Sequence, residues 1–265
     1  DNGKPLKILN SFNLRIKRGD RIGIIGKNGS GKTTFLKLIL NQLTPDKGSI
    51  KINKNMEFSY FDQNRSDLKP NDSLKDVMAP NGGDYVEVRG KMRHIYGYLK
   101  DFMFDSSVIL ESVSTLSGGQ KNRLKLAKIL ANPKSCLILD EPTNDLDMET
   151  LDMLGEILMS YQGTLLLVSH DRDFLDQTVT KILSFEGDGV IDECIGGYSD
   201  YLFSKSSKKE TNATIKDEKY IGNILKQKRE FEEPRNNNKL TYKLEFELKT
   251  LPSKIKDTEE KIITF

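Results

Sequence analysis

Residues 26–33, GKNGSGKT, match G-x-x-x-x-G-K-[ST] and lie between an Ile-rich run, RIGIIG at 21–26, and a helical pattern, TTFLKLIL at 33–40. Glycines let a backbone wrap closely round a phosphate, and N–H groups at a helix start point at it. The segment Gly26, Lys27, Asn28, Gly29, Ser30, Gly31, Lys32, Thr33 and Thr34 therefore reads as a cradle for a nucleoside triphosphate. In such a cradle Lys32 reaches the β and γ phosphates and the Thr33 hydroxyl ligates Mg²⁺. The apolar run CLILDE supplies the acids. Asp140 ends it, where open α/β sheets bind ligands, and can hold the metal; Glu141 can take a proton from an attacking water. Gln63, after FSYFD, has an amide able to reach metal or water. His170, ending TLLLVSH, is either structural or a γ-phosphate contact on the same side as Asp140.

These residues need a sheet to hold them. The runs at 21–26, 136–140 and 164–170 are apolar on both faces and alternate with helical stretches such as METLDMLGEILMSY. That pattern predicts a mostly parallel sheet covered by helices on both sides, an α/β fold. SIKI at 49–52 and MEFSYFD at 56–62 alternate more, and read as antiparallel strands at an edge. Between Asp72 and Val113 the stretches SLKDVMA and HIYGYLKDFMF predict a helical insertion. After Phe203 apolar residues nearly vanish, which predicts a basic linker; from Leu244 to Ile262 they return at heptad spacing. The expected organisation is an ATP-binding domain over 1–204 with a helical subdomain at about 72–131, a linker over 205–238, and the start of a coiled coil over 239–265.

With 265 residues and 36% hydrophobic content the chain can bury a sizeable core. Cys136 and Cys194 sit in apolar runs and read as buried free thiols, which suits a reducing compartment. No apolar run approaches membrane-spanning length, so a cytoplasmic location without a membrane partner is expected. The net charge is +2, with the basic excess concentrated after Lys205, which is compatible with a nucleic-acid contact or a solvated helical face. The chain opens on Asp1 and ends on KIITF inside a helical pattern, and reads as part of something longer.

One motif has no chemistry of its own: LSGGQ at 116–120 precedes the helical pattern QKNRLKLAKIL. In this order the motifs resemble those of the ABC ATPase nucleotide-binding domain over about residues 1–204. The resemblance makes Gly26–Thr33 the Walker A loop and Gln63 the Q-loop glutamine. Asp140 and Glu141 become the Walker B acid and catalytic base, Asn144, Asp145, Leu146 and Asp147 the D-loop, and His170 the switch histidine. Leu116, Ser117, Gly118, Gly119 and Gln120 become the signature, which in that family binds ATP held by a different domain. A helix N-terminus opened by Ser117, Gly118 and Gly119 suits that role physically, and equally suits a simple cap. EPTNDLD, SHDRDFLD, GGYSDY and the Lys-rich linker resemble the soluble ABC-F proteins, especially the Uup-like group. That resemblance implies ATP and Mg²⁺ as cofactors, ATP hydrolysis, and a second ABC domain in the same full-length chain or in a homodimer. It also implies a ribosome or DNA client, and places the adenine-stacking aromatic upstream of Asp1. Two other readings compete with hydrolysis: a nucleic-acid module switched by ATP, and a transporter ATPase subunit.

Overall fold

The central strands are where uninterrupted apolar sequence demands them. In a computed structural model, residues 7–62 and 68–210 are described. Their elements run β1 (Arg21–Gly26), α1 (Lys32–Ile39), β2 (Phe58–Phe61), α2 (Leu74–Met78), β3 (Tyr85–Val88), β4 (Lys91–His94), α3 (Ile95–Asp101) and α4 (Gly118–Ala131). There follow β5 (Cys136–Asp140), α5 (Met148–Met159), β6 (Thr164–Val168), α6 (Arg172–Thr178), β7 (Lys181–Gly187), β8 (Val190–Ile195) and α7 (Tyr198–Glu210). Nearly all of this lies in one compact unit, Asp1–Lys208.

The main sheet has the order β2-β5-β6-β1-β7-β8. All neighbours pair parallel except β7 and β8. Side chains alternate across a strand, so each central strand feeds two cores. Ile22, Ile24, Ile138, Leu166 and Val168 pack with Phe35 and Leu36 of α1 on one face. Ile25, Leu137, Leu139, Leu165 and Leu167 pack on the other with α4, α5 and α6 residues such as Leu126, Leu154 and Leu175. Arg21 ties strand to helices. Its guanidinium donates to the carbonyls of Thr178 at 2.6 Å, Leu158 at 2.9 Å and Tyr161 at 3.3 Å, where the ends of α5 and α6 leave acceptors unpaired.

The α/β architecture is as expected, with three local differences. FSYF forms β2, but it pairs parallel to β5 at the sheet edge, Phe58 opposite Cys136. Its alternating pattern reports a partly buried edge strand, not an antiparallel partner. Residues 49–52 form no strand. The antiparallel elements are instead β7–β8 and the hairpin β3–β4. That hairpin interrupts the stretch expected to be helical; α2, α3 and α4 surround it in sequence. The helix α7 continues through Glu210, past the expected start of the linker at 205, because Lys205 is held by Glu186 and Tyr201. The expected linker beyond 210 and the coiled coil over 239–265 lie outside the described residues.

Candidate nucleotide site

Parallel pairing brings the carboxyl ends of β5, β6 and β1 to one edge. Asp140 is opposite Val168, and Val168 is opposite Ile24. The loop after β1 therefore rises beside the acid that ends β5, with the end of β6 between them.

The loop itself is built on left-handed backbone. Gly29 has φ 79° and Gly31 φ 101°, conformations disfavoured for residues with a Cβ. At Gly31 an added Cβ would also run into Ile8 Cγ2. Lys32 is buried and folds over the loop, its Nζ donating to Gly26 O at 2.7 Å and Lys27 O at 3.2 Å. Burial lowers its pKa, opposed by the charges of Glu141 and Asp140. Thr33 Oγ1 donates to Asp140 Oδ2 at 3.2 Å, so the two groups expected to hold a metal already meet.

The acids differ in environment. Asp140 is buried, which raises its pKa against the opposing bond from Thr33. Glu141 adopts φ 52°, a left-handed conformation that turns it out of the strand line, and its N–H donates to Val168 O at 2.9 Å. Its carboxyl is also pushed up by burial, more than the nearby His170 and Lys32 pull it down. His170 Nε2 stands 3.2 Å from Glu141 Oε1. A hydroxyl contact of 3.1 Å between Thr143 and Ser169 holds the two turns together.

These residues fit a nucleotide. Ser30 Oγ is buried without a hydrogen-bond partner among the described residues, and the Glu141 carboxylate is buried beside His170. Buried polar atoms ordinarily find partners, so a loop that leaves a buried hydroxyl unmatched is shaped for polar atoms from a ligand. Thr33 and Asp140 suit Mg²⁺, which is commonly held by one or two protein groups together with phosphates.

Residues 116–122 lie against residues 144–147 of the same chain. Ser117 and Gln120 form a reciprocal capping box, Gln120 N to Ser117 Oγ at 3.2 Å and Ser117 N to Gln120 Oε1 at 2.8 Å. Leu116 is buried, and a Cβ on Gly119 would approach Asp145 O at 2.7 Å. Asn122 Nδ2 donates to Asn144 O at 3.4 Å. Leu146 packs on the core, and Asp147 caps α5 through Thr150 N at 2.8 Å. Among the described residues no hydrogen bond or ion pair joins 116–120 to 26–34. Gln63 lies outside the described residues. A residue unread in the sequence is Tyr60, whose phenol pKa is pushed up by burial and by the charge of Asp140 nearby. Its only sequence signal was its place two residues before the end of the FSYFD run.

The sequence profile of the ABC transporter family matches residues 9–144. ATP-binding protein Uup of Escherichia coli is 45% identical over 98% of this chain and 40% of that protein. The energy-dependent translational throttle protein EttA of Mycobacterium tuberculosis is 39% identical over 68% of the chain and 32% of its own length. The chain thus spans about two fifths or less of these relatives. Among solved structures, a dimeric ATP-binding cassette in a post-hydrolysis state with ADP and phosphate superposes with TM-score 0.57 at 24% identity, covering 74% of this chain and 93% of that one. The cradle, the paired acids and these likenesses agree: the chain belongs to the ABC transporter family and resembles the Uup-like, ABC-F proteins over about two fifths of their length.

Proposed function

We propose that the chain binds Mg²⁺ and ATP and hydrolyses ATP to ADP and phosphate as one half of a two-domain sandwich. The observation that carries this is the meeting of Thr33 with Asp140 and of His170 with Glu141 beside a loop whose Ser30 is unpartnered. Lys32 and the loop N–H groups hold the phosphates. Thr33 and Asp140 hold the metal, which when bound neutralises charge on the phosphate oxygens. Glu141 accepts the proton of the attacking water, and burial makes its carboxylate a stronger base. His170 orients Glu141 and the γ phosphate, and Gln63 positions water or metal. Ser117, Gly118 and Gly119 serve the ATP of the second domain, supplied by the same full-length chain or by a second copy, with Asn144–Asp147 at that boundary. Glu141→Gln should slow turnover about 10²-fold or more, the scale of a lost general base, while keeping ATP affinity. Unchanged turnover would sink the assignment.

The client is a ribosome or DNA in the cytoplasm, and the domain acts on it as a nucleotide-driven clamp. The name of the EttA relative and the basic excess after Lys205 support this; among the described residues no helix is long and apolar enough to cross a membrane. Affinity for ribosomes or duplex DNA should fall with salt and with deletion of 211–265. Binding indifferent to both would refute it.

A further inference from the structure

The end of β2 lies beside the end of β5 on one side and meets α4 on the other. Phe61 pairs with Leu139, the residue before Asp140, and the Asp140 charge is felt at the Tyr60 phenol. Two residues on, Asp62 meets Lys125 of α4, whose Nζ donates to the Asp62 carbonyl at 3.1 Å and to its carboxylate. The Lys125 side chain is 5% exposed, and its ammonium stands 5.4 Å from the Phe61 ring centroid.

An ammonium costs free energy to bury and persists there only when paired, so this cation fixes α4 to β2 at one point. Here the surrounding positions of α4, Leu124, Leu126 and Ala127, are apolar and buried. A methylene-rich apolar residue would fill the same space without gripping a carboxylate. What Lys125 adds is a directional link, two turns from the glycines that open the helix.

We propose that Lys125 is a positioning residue: through Asp62 it ties the orientation of α4, and so of the Gly118–Gly119 phosphate site, to the state of the chain's own nucleotide site at Asp140. A shift of the β2 end on nucleotide binding is passed to α4 as a rigid body, because a 14-residue helix moves as a unit. This rests on the signature serving a second domain's ATP.

The test uses the full-length protein with Lys125→Met, Lys125→Arg and Asp62→Asn, beside Ser117→Arg as the control for the signature reading. Steady-state ATP hydrolysis, binding of a fluorescent ATP analogue and thermal melting are measured on each. Lys125→Met should lower kcat about tenfold while changing analogue affinity less than about twofold, and Lys125→Arg, which keeps the cation, should restore kcat to within about threefold of wild type. If Lys125→Met does not fold, Asp62→Asn carries the same comparison, since it leaves the bond to the Asp62 carbonyl. The proposal is overturned if kcat stays within about twofold in Lys125→Met, or if activity, affinity and melting temperature fall together and arginine does not rescue. Should Ser117→Arg leave hydrolysis intact, the signature reading itself fails; should Ser117→Arg abolish hydrolysis while Lys125→Met does not lower it, only the Lys125 link fails.

Discussion

Glu141 and Gly31 adopt conformations that residue type alone would not choose. Glu141 takes a strained left-handed backbone to leave the strand line that Asp140 ends, and so two adjacent acids reach different surroundings. Gly31 has φ 101° with Ile8 packed where a Cβ would stand. Gly31→Ala should therefore cost about 1–2 kcal/mol from the left-handed conformation alone, read by urea melting, and weaken ATP binding in parallel. At this scale the sequence was legible wherever a motif dictates geometry: Lys32 folds back over its loop and Thr33 meets Asp140. Tyr60 and Lys125 were not legible, because their partners Asp140 and Asp62 are distant in sequence and come close only when β2 docks on β5 and α4.

Elements were legible in proportion to their burial. The runs at 136–140 and 164–168 are buried at every position, and no other reading suits five apolar-lined residues ending on an acid or before a histidine. The hairpin β3–β4 went unread because β4 is exposed throughout and offers no apolar alternation. The parallel direction of β2 went unread because an edge strand alternates whichever way its neighbour runs. The helix α7 was read as linker beyond Phe203 because a polar surface hides its anchor. That anchor is Glu186, which accepts from Lys205 Nζ at 2.7 Å on both oxygens, from Ser184 Oγ at 2.6 Å and from Tyr201 OH at 2.8 Å. Partial burial opposes ionisation, but these donors outweigh it and draw the carboxyl down to about 2. A depressed folded pKa means the stabilisation is complete above the unfolded value and disappears as pH falls through the folded one. Glu186→Gln should lower the melting temperature near pH 7, and the gap to wild type should narrow between about pH 4.3 and 2. A gap that persists unchanged at pH 2 would assign the loss to packing.

At the scale of the whole molecule the proposed function has two halves: a loop over 26–34 suited to phosphate and, separately, a helix opened by Gly118 and Gly119. On that proposal the two halves belong to a composite site shared with a second domain, and the chain spans 40% of its Uup relative. The most direct measurement is ATP turnover against protein concentration for Ser117→Arg, Lys32→Ala and their equimolar mixture. Each variant alone should be inactive. In a two-fold dimer half the mixed pairs are heterodimers with one intact site, so the mixture should regain about a quarter of wild-type activity. Wild-type turnover by Ser117→Arg alone, at every concentration, would contradict a site shared between two domains.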